Sequence, residues 1–166
     1  MPLVKDDALI QDAWTRLNDA AVMIDGPVVI SLERWLKERD ILASCNEPLG
    51  IVLASHETSE QISDDLDHFS LICLEFQKFT DGRAYSHARK LRERFGFTGE
   101  LRAVGNVLRD QFLFMQRCGF DAFEVADGTA LEDWLRATTE ISVAYQSAAD
   151  RRATAMAQRQ DRCTES

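Results

Sequence analysis

Four cysteines, three histidines and eight glycines in 166 residues leave little material for the motifs that announce a reaction. Cys45, Cys73, Cys118 and Cys163 are widely spaced, form no CxxC pair and have no histidine at ligand spacing, so neither a zinc nor an iron–sulfur framework is expected. No metal ligands are assigned. Glycine builds no dinucleotide turn and no phosphate loop, and there is no nucleophile elbow, HExxH or haem motif. Redox chemistry would need a cofactor or partner that the sequence does not announce, and the cofactor stays unknown. Positive charge is scarce: 19 lysines and arginines stand against 28 aspartates and glutamates, for a net charge of −9. The basic residues are interleaved with acidic ones, which argues against nucleic acid as a partner. No apolar run approaches the roughly 20 residues that cross a bilayer. Met1–Asp7 lacks the apolar stretch of a signal peptide, so a cytoplasmic location with no membrane partner is expected.

An apolar share of 45% and a charged share of 28% are ordinary for a globular chain long enough to bury a core. The reading is one α/β domain over residues 1–146, followed by a flexible tail over 147–166 without a clear buried face. Residues 1–25 are read as an edge segment around Ala13-Trp14-Thr15-Arg16-Leu17. Short β-rich runs recur at 28–30, 50–54, 71–76, 101–104, 122–125 and 141–145, each followed by a helix-like stretch. Counted from Val28, Gly50, Leu71, Glu100, Asp121 and Ile141 the steps are 22, 21, 29, 21 and 20 residues, the length of one strand plus one helix. Serial βα units of this kind predict a parallel sheet with right-handed crossovers. Two architectures fit: an incomplete arc of the TIM barrel, and an open doubly wound sheet. The missing dinucleotide turn favours the arc.

Arg94-Phe95-Gly96-Phe97 and Arg117-Cys118-Gly119-Phe120 repeat one pattern and read as helix stops, the glycine taking the left-handed conformation and the phenylalanine packing back. Tyr85, Ala88, Leu91, Arg92 and Phe95 have helical spacing, as do Leu108, Phe112, Met115 and Cys118, and both stripes are expected to face a core. Asp133-Trp134-Leu135 is expected to belong to a last helix. Cys73 and Cys118, within apolar segments, are expected to behave as small hydrophobes.

Ligands of parallel α/β folds bind beyond the carboxyl ends of the strands, which marks the residues after each run. Ser55, His56, Gln77, Asp127 and Gln146 qualify by position alone, and His56 is the one histidine kept, His87 being placed on a helix surface. The longest connection contains Lys78, Asp81, Arg83 and Tyr85, with cations, a carboxylate and a turn-forming Asp-Gly pair that would receive a small anion. Asn106 is expected to cap the helix beginning near Val107, with Arg109 and Asp110 in its first turn. Arg109 sits poorly near the positive end of a helix dipole, so an anion or a neighbouring carboxylate would explain it. Strand alternation sets Glu75, Arg102 and Glu124 on one polar face, where Arg102 would bridge the two carboxylates. The ligand-binding candidates are therefore Lys78, Asp81, Arg83, Tyr85, Arg102, Asn106, Arg109, Asp110 and Glu124; no catalytic residue is assigned.

The stretch Lys78–Val125, KFTDGRAYSHARKLRERFGFTGELRAVGNVLRDQFLFMQRCGFDAFEV, closely resembles the bacterial domain-of-unknown-function 934 family, with weaker similarity reaching Gly26 upstream and Gln146 downstream. The family usually has proline before Lys-Phe-Thr-Asp-Gly-Arg and aspartate after Ala-Val-Gly; this chain has Gln77 and Asn106. Members are labelled oxidoreductases of sulfite reduction because their genes lie beside those for sulfite reductase. The resemblance thus implies an accessory protein or oxidoreductase of assimilatory sulfite reduction, with sulfite reductase or another sulfur-assimilation protein as partner. The residues by themselves leave two alternatives open: a binder or enzyme for a small phosphorylated or sulfonated metabolite, and a non-catalytic interaction protein whose incomplete sheet is completed by homo-oligomerisation.

Overall fold

A computed structural model describes residues 2–78, 81–126 and 128–132. The strand expected at 141–145, the helix around 133–135, the tail, Asp127 and Gln146 lie outside the described residues. Eight strands form one sheet: β1 Pro2–Lys5, β2 Ala8–Gln11, β3 Thr15–Arg16, β4 Val28–Ser31, β5 Leu49–Leu53, β6 Leu71–Phe76, β7 Glu100–Gly105 and β8 Ala122–Glu124. Their spatial order is β2-β1-β8-β7-β6-β5-β4-β3. From β3 to β8 each strand lies parallel to its successor. With this unreversed progression the described helices pack on one face of the sheet, which curls into a half barrel.

The expectation of a wholly parallel sheet is corrected at its far edge, where β1 pairs antiparallel with both β8 and β2. The hairpin lacks the glycine that usually marks such a turn. Asp6 and Asp7 take it instead, with φ of 49° and 58°, the left-handed pair that a two-residue type I′ loop demands. β2 is exposed along its length, and Asp7 and Asp12 flank it, charges that discourage pairing with another edge.

Alternation divides the sheet into two unlike faces. Val28, Ile30, Ile51, Leu53, Ile72, Leu74, Phe76, Leu101, Ala103 and Phe123 join one large core under the helices. α1 Leu32–Leu42 contributes Leu32, Trp35 and Leu42; α2 Arg83–Arg89 contributes Ala84 and Ala88; α3 Phe112–Arg117 contributes Phe112 and Met115. Trp35, with no exposed surface, donates its indole N–H to buried Asp65 at 2.9 Å, and Arg39 also pairs with that carboxylate. The opposite face carries a smaller cluster, Val29, Val52, Leu71, Cys73 and Val104, with Trp14 packed against it and, among the described residues, no helix in the cluster.

Two connections depart from the expected strand–helix alternation. Between β5 and β6 the chain makes only short 3-10 turns, Ser59–Ile62 and Leu66–His68, instead of a helix. The helix expected through Phe95 remains α-helical only to Arg89 and continues as a π-turn over Lys90–Arg94, closed by Phe95 N–H on Lys90 O at 2.9 Å. Both glycine stops form, with φ of 68° at Gly96 and 104° at Gly119. Arg92, read from its spacing as core-facing, uses its guanidinium to staple them: it donates to Gly119 O at 2.9 Å, Phe97 O at 2.7 Å and Gly99 O at 2.9 Å, and pairs with Asp121.

His87, expected on a helix surface, is half-buried against the turn at Ser59. Its Nδ1 lies 3.4 Å from the Ser59 backbone nitrogen, which donates to it, and 3.2 Å from Ser59 Oγ. Burial, and then nearby Lys90, lower its pKa from the ordinary 6.5, because Nδ1 accepts here and desolvation penalises the cation. A histidine whose folded pKa is lowered contributes stability that is complete above 6.5 and lost as pH falls through the folded value. Thermal unfolding followed from pH 7.5 to 5.5 should therefore show a falling Tm whose slope is shallower in His87→Gln; equal slopes would exclude this coupling.

Candidate functional site

The inner face of the half barrel holds a buried cation. Arg102 pairs across the sheet with Cys73 on one side and Ala122 on the other, and only 4% of it is exposed. A buried guanidinium needs partners. Arg102 donates through Nε at 2.9 Å and through one terminal nitrogen at 2.7 Å to Glu100 Oε1, and through the other terminal nitrogen at 2.7 Å to Asp12 Oδ2. Glu100 stands two residues back on the same strand and so on the same face. Its second oxygen accepts from Lys5 Nζ at 2.7 Å, drawing β1 into the network. The expected bridge from Arg102 to Glu75 and Glu124 is thus corrected: those carboxylates share the inner face, but Glu100 and Asp12 take the guanidinium.

Asp12, Trp14 and Arg16 reach this face by alternation along the chain leading into β3, where Arg16 pairs with Val29. Together with Val29, Val52, Cys73, Arg102, Val104 and Glu124 they line a pocket of about 70 Å³. Lining residues come from β3, β4, β5, β6, β7 and β8. Strands lie about 4.8 Å apart, so a flat sheet would separate its outer two by roughly 24 Å; the curl brings them around one small space. Two of its charged groups, Arg16 and Glu124, have no ion pair among the described residues.

Cys73 forms part of the floor. Burial pushes its thiol up to about 12, outweighing the attraction of nearby Arg102 and Arg16 for a thiolate. At neutral pH it remains a protonated, apolar group.

The other candidates occupy the rim at the carboxyl ends of the strands. The segments after β6 and β7 sit side by side: Asn106 N–H donates to Phe76 O at 2.8 Å, and the Tyr85 hydroxyl donates to Gln111. Burial raises Tyr85 to about 12. Its ring meets Phe76 edge-to-face and Phe114 at a tilt, and the latter is 56% exposed. Asp81 accepts from Arg83 Nε at 2.9 Å and a terminal nitrogen at 2.6 Å; this clamp holds its carboxyl down at about 2 and neutralises the guanidinium expected to receive an anion. Lys78 is exposed nearby.

Asn106 does not cap a helix through its side chain. Residues 109–111 form a 3-10 turn whose N-cap is Leu108, without a side-chain cap, before α3. Arg109 and Asp110 belong to that short turn, and Arg109 has interactions of its own. Ser55 is buried behind β5 with its hydroxyl unpartnered, while His56 is exposed.

Of the residues singled out from sequence, only Arg102 and Glu124 line the inner pocket. Asp12, Trp14 and Arg16 were missed as site residues. Their signal is the period-two pattern Asp-x-Trp-x-Arg, which places an acid, an indole and a guanidinium on one side of an extended segment.

Among the described residues no helix is long and apolar enough to cross a membrane, and no group of three or more His, Cys, Asp or Glu is arranged to hold a metal ion. Fold and site define a mixed α/β half barrel whose inner face carries an ion-paired arginine beside a small pocket. Residues 50–156 match the family described as bacterial protein of unknown function (DUF934), and the chain belongs to it. The match opens at Gly50, so Asp12, Trp14, Arg16 and Val29 precede it. No curated protein and no solved structure matches the chain.

Replacing Arg102 by Met should lower unfolding stability by about 3 kcal/mol, since Asp12 and Glu100 would lose their common partner; urea denaturation measures this, and a loss near zero would remove the ion network from the account. In thiol titration with an aromatic disulfide at pH 7.5, Cys45, which is exposed, should react at once and Cys73 only upon denaturation. A Cys73→Ala variant that loses one rapidly reacting thiol would contradict the buried placement.

Proposed function

We propose that this protein serves assimilatory sulfite reduction as a cytoplasmic accessory protein that binds a small molecule within its half barrel. The pathway rests on the resemblance of Lys78–Val125; the mode of action rests on the inner pocket. The half barrel is read as an incomplete TIM-like arc; its pocket lies on the inner face at mid-strand, away from the carboxyl-end rim where closed barrels bind ligands, in space that an open arc leaves unfilled. The carrying observation is that six strands converge on one pocket whose Arg16 and Glu124 have no ion pair among the described residues while its other arginine is held by Asp12 and Glu100. Groups of opposite charge, poised over Val29, Val52, Cys73 and Val104, suit recognition of a small polar molecule. A thiol held near 12 makes Cys73 a poor nucleophile and a poor redox partner, which favours an accessory role over thiol-based electron transfer.

The alternative small-anion reading has its better support here as well. Asp81 already neutralises Arg83 at the rim, whereas Arg16 retains its charge at the pocket.

Deleting the gene in its host should slow growth on sulfate and leave growth on cysteine unchanged. Wild type should restore sulfate growth, and an Arg16→Gln, Glu124→Gln double variant that folds normally should not. Normal sulfite flux in the deletion strain would overturn the pathway assignment, and full rescue by the double variant would overturn the role of the pocket.

A further inference from the structure

The charges around the inner pocket restrict what it accepts. Four ionised side chains line it: Asp12, Arg16, Arg102 and Glu124. Asp12 and Arg102 are spent on one another, and the remaining valence of Arg102 goes to Glu100, itself also held by Lys5. Among the described residues, what remains for a ligand is one guanidinium, Arg16 on β3, and one carboxylate, Glu124 on β8. No ion pair joins them, although they line the same space.

A doubly charged oxyanion would meet Arg16 but would also be repelled by Glu124, which lines the same space. A small cation would meet the converse. A molecule with a negative group at one end and a positive or strongly donating group at the other satisfies both, and lets the short apolar stretch between them lie on Val52, Cys73 and Val104. Size narrows the class further. At about 10–15 Å³ for each water-sized group, a space of about 70 Å³ holds roughly five to seven non-hydrogen atoms. Trp14, half-buried, also lines the pocket, and an indole can offer its ring face to a cationic group and its N–H to an anionic one.

We infer that the ligand of the inner pocket is a small zwitterion, an aminocarboxylate or aminosulfonate, its acid group on Arg16 and its ammonium on Glu124. This rests on the inner pocket being the binding site, and it replaces the oxyanion with a more specific class. Both interactions are charge-assisted and come from strands five steps apart in the sheet, so a bound zwitterion would also tie β3 to β8 and resist uncurling.

Calorimetry and thermal unfolding of the full chain with glycine, aminomethanesulfonate, acetate, methylammonium and sulfate test the inference. Glycine or aminomethanesulfonate should bind and raise Tm, while acetate and methylammonium, each lacking one charge, should bind about tenfold more weakly. Arg16→Gln and Glu124→Gln should each weaken zwitterion binding by about tenfold, and Lys78→Gln at the rim should leave it unchanged. Neither pocket residue is fully buried, so both variants should keep the unliganded Tm, which separates lost binding from lost fold. Sulfate bound more tightly than either zwitterion, with sensitivity to Arg16→Gln but not to Glu124→Gln, would overturn the zwitterion and leave the pocket as an oxyanion site. Wild-type binding of none of the five, or binding insensitive to both pocket variants, would overturn the pocket itself.

Discussion

A guanidinium buried in the middle of a sheet is tolerated only if its charge is met, and Arg102 organises this molecule around that demand. Glu100 supplies one carboxylate from the same strand and face, so that half of the requirement is local. The other half is not. Asp12 arrives from ninety residues away, and it reaches Arg102 only because residues 12–16 come onto the inner face before joining the edge of the sheet as β3. Lys5, on β1 beside the opposite edge strand, closes the series through Glu100. Four alternating charges thus tie both margins of the sheet to its centre.

The two faces divide the work accordingly. On the helical side, packing is apolar and closely spaced, with Trp35, Phe76, Phe112 and Phe123 among its largest buried side chains. On the inner side, small and β-branched residues leave room for the ion network and for a pocket beside it. The pocket is a product of curvature: residues that would be far apart on a flat sheet come to line one space. Its polarity follows from which charges the network consumes and which it leaves. A ligand bridging β3 and β8 would add a crosslink where the chain supplies none.

The rim at the strands' carboxyl ends, where position alone places binding residues, is instead largely occupied with holding the connections together. Asp81 clamps Arg83, Tyr85 meets Gln111, and Asn106 fastens its segment to Phe76 through the backbone. These contacts order the segments after β6 and β7 and spend most of their polar groups. Arg92 does the same at the other end, where one guanidinium closes two glycine stops.

Patterns carried by neighbouring residues were legible in the sequence. Apolar runs from Val28 to Val125 mark the parallel strands, because a strand buried on one face by helices and on the other by curl is apolar over most of its length. Arg-Phe-Gly-Phe and Arg-Cys-Gly-Phe mark the helix ends, because only glycine readily accepts their φ. The hairpin of β1 and β2 was not legible, since Asp6-Asp7 lacks the usual glycine and the antiparallel partner, β8, lies at the far end of the described chain. Nor were the short 3-10 turns between β5 and β6, where tertiary packing overrides helical spacing. By itself the sequence determined that Arg102 and Glu124 share a face, because side chains alternate along a strand. Only the tertiary structure decided that Arg102 belongs to Asp12 and Glu100, and that Arg16 faces Glu124's pocket. Partners of a charge are set by distance in space, and that distance is created by the curl.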